Sequence, residues 1–177
     1  GSLVDSALTE SQKALIASYD KAMMADPAKL DASKTAGFVR DNANFKSLYP
    51  SVSFDGAFSI NFYCVPAVPV DGDMTLYLWN EDTYNSVTEL TAENADKAVV
   101  MTLENGAYTG SSDEIFARRL DQTLYAAAVY ESDGVTYCSG VLPYSIAAYC
   151  QKPPAGVQDL ATAAAIYGGA AKQYFGA

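Results

Sequence analysis

From Ser51 onward apolar residues fall on every second position, and that period constrains this 177-residue chain more than any other feature. Val52, Phe54, Phe58, Ile60, Phe62 and Cys64 alternate with Ser53, Ser59, Asn61 and Tyr63; Met74, Leu76 and Leu78 alternate with Thr75, Tyr77 and Trp79. Extended backbone sends successive side chains to opposite faces, so the pattern specifies strands with one apolar face. In the second strand the other face is aromatic and polar. Asp55-Gly56 interrupts the first run and predicts a bend or bulge between two strand halves. Pro66 and Pro69 close that run, and Asp71-Gly72-Asp73 turns the chain into the next strand.

Asn80 to Asp96 reads as a loop with a helical turn at Glu81 to Tyr84. Ala98 to Leu103 predicts a strand closed by Glu104-Asn105-Gly106, because Asn-Gly accepts the positive φ of a tight hairpin, and Tyr108 to Gly110 returns. Thr123 to Glu131 is too continuously apolar for a half-exposed strand, which predicts a central strand covered on both faces. Asp133-Gly134 turns the chain, and Val135 to Leu142 returns antiparallel until Pro143 stops it. Roughly six or seven short strands, with no alternation of strand and helix, predict an immunoglobulin-like antiparallel β-sandwich.

Helices flank this body. Thr9 followed by Gln12 forms a capping-box pattern, and Leu15, Tyr19, Ala22 and Met23 share one face, which predicts a helix over 5–26 ended by Pro27. Ala28 to Tyr49 is a polar connector with a short strand expected near Phe38-Val39. The chain thus divides into an N-terminal helix and connector over 1–48 and a sandwich module with its C-terminal helix over 49–177. After the breaker Pro153-Pro154-Ala155-Gly156, a stripe of Val157, Leu160, Ala164, Tyr167, Ala171 and Tyr174 predicts a helix packed on the sandwich. Gly168-Gly169 inside it costs about 1 kcal/mol per residue relative to alanine, which implies close packing alongside Ala161 and Ala165.

Half the residues are hydrophobic and 18% are charged, a composition that folds rather than remaining an acidic coil. The longest apolar run is well short of the ~20 residues of a membrane span, so no membrane insertion is expected. Twenty-one acidic against 11 basic side chains leave a net charge of −10, and Arg118-Arg119 is the only adjacent arginine pair. Nucleic acid, whose phosphates require clustered cations, is not an expected partner, nor is an anionic lipid surface. The chain contains no histidine, which removes that side chain as base, nucleophile or metal ligand. No signal peptide opens the sequence at Gly1-Ser2-Leu3-Val4-Asp5. Thirteen tyrosines with few lysines suit an extracellular β module.

Four segments carry a likeness to a known kind of module. These are Tyr49 to Asn61, Asp121-Gln122-Thr123-Leu124-Tyr125, the hairpin Ser132-Asp133-Gly134-Val135-Thr136-Tyr137, and the ending Ala165-Ile166-Tyr167-Gly168-Gly169-Ala170-Ala171-Lys172-Gln173-Tyr174-Phe175-Gly176. Together they resemble a module of large surface proteins from anaerobic gut Gram-positive bacteria, whose final helix is similar to NYGAAAQxYFGY. The likeness covers roughly residues 45 to 177, with Ile166 in place of the usual Asn and Gly168-Gly169 in place of Gly-Ala. Leu8 to Leu15 is similar to the stretch that follows the final helix where such modules repeat. The resemblance implies an extracellular, cell-surface address and neighbouring modules of the same polypeptide as partners. It carries over no catalytic residues.

Candidate chemistry is sparse. Cys138 and Cys150 are a candidate disulfide, with two separately buried thiols as the alternative. Cys64 has no histidine to activate it, and no paired CxxC spacing is present for zinc, so neither a metal nor a cofactor is expected. Asp71-Gly72-Asp73 with Glu81-Asp82 offers oxygen ligands for calcium without EF-hand spacing, and a plain turn is the simpler reading. Carboxylates at Asp71, Asp73, Glu81, Asp82, Glu89, Glu93, Glu104, Asp113 and Glu114 are the acid–base material a hydrolase would draw on. Trp79, Tyr77 and Tyr84, with Tyr63, offer a sugar-stacking face; the competing expectation is that the C-terminal helix covers those rings. The leading expectation is a non-catalytic module for adhesion, spacing or display, on a glycan, host or cell-wall surface. A carbohydrate-binding module and a carboxylate hydrolase are its alternatives.

Overall fold

The computed structural model describes Glu10, residues 30–151 and residues 153–175. Glu10 is helical, and the rest of the helix expected over 5–26 lies outside the described residues. Nine strands among the described residues form two antiparallel sheets. The first sheet holds β1 (Phe45–Ser53), β2 (Ser59–Pro66), β6 (Ala107–Ser111) and β5 (Thr102–Glu104), in the order β1-β2-β6-β5. The second holds β4 (Lys97–Val100), β3 (Thr75–Trp79), β7 (Leu124–Ser132) and β8 (Val135–Cys138), in the order β4-β3-β7-β8, with β9 (Leu142–Tyr144) also paired to β7. The fold is a β-sandwich with a C-terminal helix.

The period-two residues meet between the sheets. Ile60, Phe62 and Cys64 of β2 face Leu76 and Leu78 of β3 and Ala126, Ala128 and Tyr130 of β7, all buried in one cluster. Each large aliphatic or aromatic side chain so buried contributes roughly 1.5–3 kcal/mol relative to exposure, which is what locks the register. Gly110 of β6 marks a close approach here, since a Cβ at that position would stand 3.1 Å from Leu76 Cδ2 and press that side chain aside.

Turn chemistry agrees with the sequence at two hairpins. Asn105 and Gly106 (φ 51° and 82°) join β5 to β6, and Asp133 and Gly134 (φ 52° and 74°) join β7 to β8, both residues of each turn in the left-handed region that primed turns require.

Four local expectations are corrected. Asp55-Gly56 does not bend one strand but reverses the chain, so that Ser53 pairs with Ser59 and Tyr49 with Tyr63. The run Ala98 to Leu103 is not one strand. At buried Met101, whose N–H donates to Met74 O, the chain leaves the second sheet as β4 and enters the first as β5. Pro143 does not stop pairing: it sits inside β9 opposite Tyr125, on the outermost strand beside β7, where a missing N–H is tolerated. Phe38-Val39 is not a strand, because Ala36–Phe38 is a 3-10 turn and the first strand starts at Phe45, crossing the 48/49 junction.

Three helices complete the described residues between 30 and 175: α1 (Glu81–Ser86), α2 (Ile146–Gln151) and α3 (Gln158–Phe175). Asn80 caps α1, its side chain accepting from the Thr83 N–H. α3 packs against the 3-10 turn Ala117–Arg119 and against α2. Its buried face is Ala161, Ala164, Ala165, Gly168 and Gly169, while Leu160, Tyr167 and Tyr174 of the expected apolar stripe are exposed, as is Phe175. Small residues win the inward face because they let backbones approach closely, so the helix seats on its alanines and glycines. Lys172 Nζ donates to the Asp121 carboxylate and pins its last turns.

Candidate functional site

The aromatic outer face of the second sheet is not a platform for ligand. Trp79 is fully buried, and its indole N–H donates to Thr91 O at 3.2 Å and Asn94 Oδ1 at 2.9 Å. Phe38 packs edge-on at 4.9 Å between ring centres. Tyr84 is buried too, its ring stacked on Tyr125 at 3.9 Å and 6°. The Tyr84 hydroxyl accepts from the Asp31 N–H, and Lys34 Nζ lies 5.0 Å over the ring while donating to Tyr84 O and Val87 O. Tyr77 is half-buried against Phe38. The predicted stacking residues Trp79, Tyr77 and Tyr84 are therefore a second core. Its cover is not the C-terminal helix but the segment from Leu30 to Phe38 with Tyr84 to Ala95.

The thiols are likewise structural. Cys138 and Cys150 are free, which corrects the candidate disulfide; Cys138 belongs to the outer-face cluster, whereas Cys150 on α2 packs with Ala147 and Ala165. The two sit in separate packing clusters. Burial pushes the Cys138 and Cys150 thiols up to about 11 and Cys64 up to about 12, away from the thiolate that a nucleophile needs.

Among the described residues no group of three Cys, Asp or Glu side chains converges to hold a metal. Asp71 and Asp73 flank a turn glycine, Gly72, at φ 106°, and Glu81 and Asp82 occupy the first turn of α1. The expected carboxylates do meet at one place. Asp113 and Glu114 line a cleft of about 230 Å³ at one end of the sandwich, with Leu78, Ile115 and Leu124 on its apolar side and Asn80, Asp96, Lys97, Arg119 and Gln122 among its polar groups. Asp96 is fixed by the Asn80 N–H at 2.7 Å and the Thr83 hydroxyl at 2.9 Å, and Asp113 accepts from Lys97 Nζ. Neither Asp96 nor Asp113 stands alone in the cleft.

Phe116 also lines the cleft and is 60% exposed. Its backbone is held, the Ile115 N–H donating to Phe58 O at 2.7 Å and the Arg119 N–H to Phe116 O at 2.8 Å. Around the same ring lies a groove of about 340 Å³ formed with Ala117, Arg118, Tyr167, Ala171 and Phe175. No periodic pattern in the sequence singles out Phe116. The available signal was a large aromatic residue two positions after the polar stretch 111–114, outside any alternation.

No family model matches the sequence, and no curated protein matches it. Among solved structures, the crystal structure of the Br derivative of BhCBM56, a carbohydrate-binding module, matches 62% of this chain and 99% of that one at 14% identity with a TM-score of 0.39. No helix among the described residues is long and apolar enough to cross a membrane.

Proposed function

We propose that the chain is a non-catalytic module of a bacterial cell-surface protein, extracellular, working in adhesion, spacing or display beside neighbouring modules of the same polypeptide. The observation that supports its non-catalytic character is the state of the nucleophiles: the chain has no histidine, and burial raises all three thiols above their ordinary value. The immunoglobulin-like reading is supported by strand order. Lettered along the chain, β1-β2-β6-β5 corresponds to A-B-E-D and β4-β3-β7-β8 to C′-C-F-G of that sandwich.

Two measurements test the proposal. Antibody against the module should label intact producing cells as strongly as permeabilised ones; labelling only after permeabilisation overturns the address. Screened on chromogenic esters, glycosides and peptides, the purified protein should turn over none of them. Turnover lost in Asp113→Asn or Glu114→Gln would instead establish a carboxylate hydrolase.

A further inference from the structure

We infer that the cleft and the groove that share Phe116 are one binding site for a neutral oligosaccharide, with one sugar ring in the cleft and the next across the groove beside Tyr167 and Phe175. This goes beyond the module reading and stands or falls without it.

The chemistry of the lining selects the ligand. A pyranose ring has two aliphatic C–H faces and a girdle of hydroxyls that both donate and accept, so its receptor needs a flat apolar surface next to mixed donors and acceptors. Phe116 provides the flat surface, held out in water by backbone hydrogen bonds rather than folded into the core. The apolar wall of the cleft is Leu78, Ile115 and Leu124, and its free polar groups are the Arg119 guanidinium, the Gln122 amide and the Glu114 carboxylate. None of those three side chains has a partner among the described residues. They are available to hydroxyls, while Asp96 and Asp113 are already oriented by Thr83 and Lys97.

Charge narrows the class further. Three carboxylates, Asp96, Asp113 and Glu114, face two cations, Lys97 and Arg119, around the cleft, on a chain of net charge −10. An acidic or sulfated glycan is repelled by the excess of carboxylates, a penalty that a neutral polyol does not pay. The cleft, about 230 Å³ and open to solvent, has room for a sugar ring. The groove of about 340 Å³ beyond Phe116 then receives the neighbouring unit on the rings of Tyr167 and Phe175, both exposed by more than 60%.

The test is calorimetric titration with neutral hexasaccharides of glucose, mannose, xylose and galactose, each beside a uronic-acid hexasaccharide. At least one neutral chain should bind at a Kd of about 1 mM or tighter. Phe116→Ala and Arg119→Ala should each weaken it by roughly tenfold or more, with unchanged thermal unfolding because both side chains are exposed. Tyr49→Ala, which removes an exposed ring on the opposite sheet, should leave affinity within about twofold. No binding by any neutral chain, preference for the uronic-acid chain, or affinity retained in both Phe116→Ala and Arg119→Ala each overturns the site.

Discussion

The two sheets treat their outer faces differently. On the first, Tyr49 and Tyr63 stack at 5.2 Å on a face open to water, and Tyr49 is 45% exposed. On the second, Trp79, Tyr84 and Ala127 lie under a cover drawn from residues 30–38 and 84–95. Both faces carry aromatic residues from their strands. Aromatic content alone therefore does not distinguish a ligand platform from a core. What distinguishes them is whether the rings' polar atoms have protein partners: the Trp79 indole N–H and Tyr84 hydroxyl do, at Asn94, Thr91 and Asp31. A second lesson lies in β7, where Ala126 and Ala128 face the interior while Ala127 faces the cover. A strand packed on both sides at close range is written in small residues.

The contrast can be broken most forcefully at its centre. Trp79→Ala removes a wholly buried ring and leaves Asn94 Oδ1 without its indole partner, so chemical denaturation should report a loss of roughly 3–5 kcal/mol, equal to that of Phe62→Ala in the interior. A loss under about 1 kcal/mol would mean that the cover is dispensable and the outer face no core at all.

Alkaline pH comes next and strikes both cores at once. The thiols of Cys64, Cys138 and Cys150 and the phenols of Tyr125 and Tyr144 are neutral when buried, with folded values of about 11 to 12 raised from ordinary ones near 9 and 10. Because the unfolded chain gives up these protons first, stability should be full below pH 9 and fall progressively through pH 11 to 12. Denaturant midpoints measured from pH 7 to 11 check the sign. A midpoint that rises over that window would show that these groups are solvated in the folded state.

The seam of the cover offers a smaller effect. Gly140 lies at φ 78°, and a Cβ there would stand 2.9 Å from Arg40 Cβ, on the connector that leads from the cover to β1. Gly140→Ala should cost about 1–3 kcal/mol, with faster amide exchange in residues 30–40 than in β1 to β3. Smallest of all, Tyr63→Ala on the open face removes one cross-strand pair and should cost about 0.2–1 kcal/mol. A larger value would show that this face also has a partner to lose.

Much of the architecture was legible in the sequence. Alternation located β2 and β3, the Asn105-Gly106 and Asp133-Gly134 hairpins followed from positive φ, and the unbroken apolar run of β7 announced two covered faces. The candidate site was not legible in the same way. Trp79 and Tyr77 were correctly phased away from the interior, yet the pattern carries no information about what lies over an outer face. Phe116 escaped notice because no period runs through it.

Side-chain period and turn chemistry are local properties, settled within a few bonds of each residue, so the chain alone determined that β2, β3 and β7 form, where the Asn105-Gly106 and Asp133-Gly134 hairpins turn and which side of β2 and β3 is apolar. Which segment would roof the Trp79 face, that α3 would seat on Ala161, Ala165 and Gly168 rather than on Leu160 and Tyr167, and that Met101 would carry the chain from one sheet to the other were decided by tertiary structure. Those outcomes rest on close approach between residues distant in sequence, where shape and the pairing of buried polar atoms act only once the layers have met.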